Sequence, residues 1–103
     1  MNQDDFPQRL ERAFVELITV RAEQRGMGKM EFAAQMWPWM KPKIASTRWS
    51  AMRSKSAHTG KPQQVTLADA HRMAETLGED LGYLLSVAKD TVRKEFLRIN
   101  AKD

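Results

Sequence analysis

Apolar positions recur every three or four residues along nearly the whole chain, and no stretch alternates in the manner of a strand. The pattern predicts an all-α domain. A first helix begins near Asp5, with Asp5 as cap, Pro7 in an early helical position and Gln8 reaching back. Leu10, Ala13, Phe14, Leu17, Ile18 and Arg21 follow at helical spacing, and Gly26 ends the helix. Gly28 opens a short second helix, with Glu31 where a capping carboxylate belongs and Phe32, Ala33 and Met36 as its inward stripe.

Trp37-Pro38-Trp39-Met40-Lys41-Pro42 breaks the pattern, because Pro38 forbids continuation and Pro42 suits the start of the next segment. A third helix is predicted from about Ala45 to Ser54, with Ile44, Ala45, Trp49 and Met52 facing in. A polar loop from Ser56 to Gln64 precedes a capping box, Thr66-Leu67-Ala68-Asp69. The fourth helix then carries Leu67, Ala70, Ala74 and Leu77 on one face and closes at Gly78. Asp80 caps a fifth, with Leu81, Leu84, Leu85 and Ala88 inward, and the same face continues through Val92, Phe96 and Ile99. That continuation is either one long helix or a sixth capped by Asp90. The expected organisation is one domain over 1–88 with a C-terminal helical extension over 89–103.

Charge changes this picture, because the excess is local. Residues 1–40 are net −1 and residues 64–103 are net −1, yet 41–63 carry Lys41, Lys43, Arg48, Arg53, Lys55 and Lys61 with no acid, giving +4 overall. No Asp or Glu lies between Glu31 and Asp69. Such a zone suits a polyanion, most often nucleic acid; the alternative is a solvated basic loop. There are no cysteines, hence no disulfide framework, thiol nucleophile or zinc–thiolate site. The polar, acidic start is unlike a secretory signal, and no apolar run approaches the ~20 residues that span a bilayer, so a cytoplasmic location is expected.

Helices in this order, with the basic zone at the third, resemble the helix-turn-helix family of phage lambda repressor and Cro over roughly Leu10 to Leu85. Arg21 stands where the family often has an arginine late in helix 1, and Phe32-Ala33 stands for its Leu-Ala pair. Ile44 stands for the apolar residue before the recognition helix, and Trp49 and Met52 for its buried positions. Leu67, Ala70, Ala74, Leu77 and Gly78 match the helix-4 pattern, and Leu81, Leu84 and Leu85 the start of helix 5. Three features depart from the family, one being a stretched loop after helix 3. The stretch from Phe32 to Ile44 is longer and carries Trp-Pro-Trp, and Arg53 stands where many members have glutamate.

The resemblance implies a five- to six-helix bundle whose third helix lies in the major groove. In that register Ser46, Thr47 and Arg48 are exposed at its N-terminal end, with Ala51 one turn further on, as base-reading candidates. Arg48 suits O6 and N7 of guanine, and the Thr47 methyl suits thymine, though Ser46 and Thr47 are equally suited to capping the helix. Lys41, Lys43, Arg53, Lys55 and Lys61 are the phosphate candidates. Val92, Phe96, Leu97 and Ile99 are the candidate dimer interface, the alternative being that this segment folds back on helix 1 of its own chain.

Trp37 extends the second helix's stripe and reads as core, as does Trp49; Trp39 suits core or a DNA or protein contact equally. His58 and His71 lie on different elements with no carboxylate at a spacing that would make a metal site, and His71 is placed beside the fourth helix's packing face. No glycine-rich phosphate loop or Ser/His/Asp constellation is present, so neither enzyme activity nor a cofactor or metal is expected. The expected function is a transcriptional regulator that occupies an operator on double-stranded DNA as a homodimer. The alternatives are the antitoxin of a toxin–antitoxin pair, or a helical module binding an acidic protein or RNA.

Overall fold

The computed structural model describes residues 5–54 and 61–101. Over them the chain is all-helical, with no strand: α1 (Phe6–Gln24), α2 (Lys29–Met36), α3 (Pro42–Arg53), α4 (Leu67–Leu77) and α5 (Leu81–Ala101). The main pairings are α1 along α5 and α2 along α3, while α4 touches α1, α2 and α5. The core lies between them. Phe14 and Ile18 of α1 meet Phe32 and Met36 of α2, Trp49 and Met52 of α3, Met73 and Leu77 of α4, and Leu84 of α5. Phe32 and Trp49 pack with tilted rings whose centroids are 5.4 Å apart, the offset arrangement that aromatic quadrupoles favour.

The helix ends show why the sequence divides where it does. After α1, Gly26 takes φ +71, and the Met27 N–H donates to the Ala22 carbonyl at 3.0 Å. After α4, Gly78 takes φ +70, and the Glu79 N–H donates to the Ala74 carbonyl at 3.0 Å. Both are left-handed closures in which a residue without Cβ lets the chain turn back on orphan carbonyls. Arg12 of α1 and Arg25, the residue just past its end, close other helices from outside. The Arg12 guanidinium donates to the Met52 carbonyl in the last turn of α3 at 2.6 Å, and Arg25 donates to the Leu77 carbonyl at the end of α4. A cation at a helix C-terminus satisfies an orphan acceptor and meets the negative end of the dipole. Glu79 holds this corner, pairing with Arg25 at 2.7 Å and with the predicted helix-1 arginine, Arg21, at 3.4 Å.

Several expectations need correction. Asp5 makes no side-chain cap bond, because its backbone is already helical (φ −81, ψ −9) rather than extended. The tilted stacking of Phe6 on Phe96, at 5.4 Å between centroids, ties down this end instead. α3 starts at Pro42, three residues earlier than predicted, because proline at N1 has no N–H to lose and its fixed φ suits the first turn. Ile44 and Leu67 are exposed, not inward; each lies in the first turn of its helix, and α4's inward stripe includes Met73 instead of Leu67. His71 is exposed and faces Glu75 at 3.4 Å rather than packing. α5 is one continuous helix with no break at Lys89-Asp90-Thr91, and Asp80 caps it by accepting from the Tyr83 N–H at 2.9 Å.

A prediction follows from Gly78. A Cβ there would meet nothing within 4 Å, so a substitution is opposed by backbone conformation alone. Gly78→Ala is expected to lower stability by about 1–2 kcal/mol, read from the urea unfolding midpoint at unchanged slope.

Candidate functional site

Advancing 100° per residue around α3 sorts its side chains into faces. Ala45, Trp49 and Met52 point into the core and are buried. Lys43, Thr47, Ser50 and Ser54 form the opposite stripe and are exposed. Arg48 and Ala51 lie on one flank beside Ile44, and Ser46 and Arg53 on the other. A shallow groove runs along the first flank, lined by Lys43, Ile44, Thr47, Arg48 and Ala51.

The early start of α3 moves the predicted base-reading residues. Ser46, Thr47 and Arg48 sit in the second turn, and the exposed side chains of the first turn are Lys43 and Ile44. Neither Ser46 nor Thr47 caps the helix. Its N-cap is Lys41, in extended backbone, with no side-chain cap bond and no acid in the first turn. Thr47 is exposed, and its hydroxyl donates back to the Lys43 carbonyl at 3.0 Å, which leaves the oxygen able to accept. Ser46, Arg48 and Ala51 are half-buried, so the expected exposure holds for Thr47 alone of the four.

Arg48 belongs to a cluster that the charge pattern did not reveal. Its guanidinium lies over the Trp37 ring at 5.1 Å and donates to Asp69 Oδ2 at 3.3 Å. Asp69 is 1 % exposed, and among the described residues it is the charged side chain withdrawn from solvent. Its Oδ1 accepts from the Trp37 indole N–H at 3.4 Å and faces Arg72 at 3.5 Å. Arg72 lies in turn over the ring of Trp39 at 4.9 Å. One carboxylate thus gathers two guanidiniums and one indole, and each guanidinium covers one tryptophan of the Trp37-Pro38-Trp39 turn. Trp37 is core, as expected; Trp39 is 62 % exposed.

The same carboxylate explains why the predicted capping box is half made. Thr66 Oγ1 accepts from the Asp69 N–H at 3.1 Å, but the Asp69 side chain turns inward to the arginines instead of back to the helix start. A sequence signal was present: Asp69 lies four and eight residues before Met73 and Leu77, on the inward stripe of α4.

The predicted phosphate residues separate. Lys41 and Lys43 are exposed at the start of α3, and Lys61 is exposed beyond its end. Arg53 does not join them. Its guanidinium lies over Trp49 at 5.3 Å on the side toward α1, where it borders a pocket with Arg12, Glu16 and Thr19. Burial lowers its pKa from the usual arginine value, and the Glu23 charge opposes this. Lys55 and His58 lie outside the described residues. Of the dimer candidates, Val92 and Phe96 are buried within their own chain, the fold-back alternative, while Leu97 and Ile99 remain exposed.

Among the described residues no helix is long and apolar enough to cross a membrane, and no group of three or more His, Asp or Glu is placed to hold a metal ion. Comparison with protein-family models, with curated proteins and with solved structures gives no match.

Breaking a buried pair leaves uncompensated charge, a loss of several kcal/mol for full burial. The Arg48 and Arg72 side chains are 34 % and 37 % exposed, so solvent screening reduces it here. Asp69→Ala is therefore expected to destabilise by about 2–3 kcal/mol in urea unfolding. Asp69→Asn keeps an acceptor for the Trp37 indole and should lose less.

Proposed function

We propose that the protein binds double-stranded DNA through the outward face of α3, in the manner of a helix-turn-helix regulator, and controls transcription by occupying an operator. The observation that supports this most directly is electrostatic. The outward stripe of α3 is hydroxyl and lysine, and the sequence from 32 to 68 has no acid. The carboxylate that ends this interval, Asp69, is buried under two arginines. Phosphates approaching this face meet Lys41 and Lys43 first. The contact of short α2 with α3 supports the same reading, since such regulators pair the groove-entering helix with the helix before it.

On this reading the roles are divided along the basic zone. Lys41, Lys43 and Lys61 hold phosphates. Thr47 reads, through its methyl and its oxygen, and Ile44 offers an apolar contact to a thymine methyl. Arg48 borders the groove with Nη2 held by Asp69 and Nε buried, so the Nη1 end of the guanidinium is the part left to read guanine, from a preset position. Ser46 and Ala51 flank the stripe. Arg53 is assigned to packing. A homodimer would use Leu97 and Ile99, since Val92 and Phe96 are already occupied.

Selection from a random duplex library at about physiological salt tests the proposal. An enriched inverted repeat, bound some thousandfold tighter than bulk DNA, is the expected outcome. Thr47→Ala should weaken binding by about 1 kcal/mol at one base position. Lys43→Gln should weaken all sequences alike and lower the salt slope by about one. Arg48 is a poorer probe, since its loss also disturbs Asp69. A single enriched half-site would remove the dimer. No enrichment, with uniform weak binding, would overturn sequence reading and favour RNA or an acidic protein as the ligand of the basic zone.

A further inference from the structure

Trp39 is 62 % exposed, on the turn between α2 and the proline-started α3, and its ring is covered on one side by an arginine rather than by the core. An exposed tryptophan on a short turn is ordinarily free to rotate. Here Arg72 lies 4.9 Å from the ring centroid, and Arg72 is itself set by Asp69. Cation and ring are thus presented together from a fixed base. Trp39 lies two residues before Lys41 and four before Lys43, both exposed, and the turn carries no acid. A rigid aromatic surface beside a guanidinium and two ammonium groups is complementary to alternating deoxyribose and phosphate.

Resting on the DNA-binding reading above, we infer that Trp39 and Arg72 form a second contact, outside α3, that grips the sugar–phosphate backbone of the duplex beside the groove α3 enters. Arg72 pairs with a phosphate through the part of its guanidinium not facing Asp69. Trp39 packs its open face on the adjoining deoxyribose, and its indole N–H is available to a phosphate oxygen. The contact reads no bases. It adds affinity and fixes the angle at which α3 meets the groove. The turn over 37–41 is what allows it, because it carries Trp39 outside both α2 and α3.

The three tryptophans make this measurable. Trp37 and Trp49 are 1 % and 2 % exposed, so collisional quenching by neutral acrylamide reports chiefly on Trp39 in the folded protein. Trp39→Phe should remove the readily quenched fraction, which verifies the assignment. Adding a selected duplex to the wild-type protein should shield that fraction. Trp39→Phe and Arg72→Gln should each weaken duplex binding about tenfold for every sequence alike, with the selected consensus unchanged. Arg72→Gln should also lower the salt slope by about one. Trp39→Phe touches no core residue, so it remains informative if Arg72→Gln loosens the fold. Saturating duplex binding with Trp39 still fully quenchable would overturn this contact and leave the function of α3 standing. No duplex binding at all would overturn both. Shielding by an acidic protein with none by duplex would reassign the surface to a protein partner.

Discussion

The arrangement of this domain turns on one buried carboxylate. Asp69 sits in the first turn of α4 and accepts from Trp37 while pairing with Arg48 of α3 and Arg72 of its own helix. Taking a carboxylate out of water is strongly unfavourable unless charges and donors replace the lost hydration. Three groups do so here, and each comes from a different part of the chain: the turn after α2, the middle of α3, and α4. A hydrophobic core alone would let α3 slide or roll on α2 and α4 at small cost. The carboxylate requires that the three elements meet at one point. It therefore acts as a register pin more than as a source of net stability.

The pin has an electrostatic consequence for the surface. Were Asp69 exposed, it would put a negative charge beside the basic stretch and cancel part of its field. Buried and doubly paired, it projects little into solvent, while its arginines keep about a third of their side-chain surface exposed. The domain thus holds an internal anion to position cations at its surface. On the DNA-binding reading this is pre-organisation: Arg48 and Arg72 lose part of their rotamer freedom during folding, so less remains to be lost on binding.

α1 supplies the other constraint. It packs along α5, and Arg12 within it and Arg25 just past its end close the C-terminal ends of α3 and α4. The start of α3 is left with Lys41 and Lys43 and no capping side chain, while its end is tied to α1. One end of α3 is accordingly presented outward and the other anchored. α5 follows α1 along the back of the domain, which is why Val92 and Phe96 are internal packing residues.

The sequence by itself determined the helical class, the two glycine closures, the proline break, most of the inward stripes and the basic zone. Each of these is decided within a few residues, by spacing, by φ or by the lack of an N–H, so local rules suffice. Even the fate of Trp37 was legible from the stripe of α2. What only the tertiary structure decided was where charges and rings ended up. A helical projection puts Arg48 and Arg53 on opposite flanks of α3 but names no partner for either, and the fold drew one to Asp69 and laid the other over Trp49. Trp37 and Trp39 flank one proline, yet one fills the core and the other stands in solvent under Arg72. Long side chains reach several ångströms past their own backbone. Their partners are set by which elements come together and by the demand that a buried charge be met, a condition that no local pattern contains.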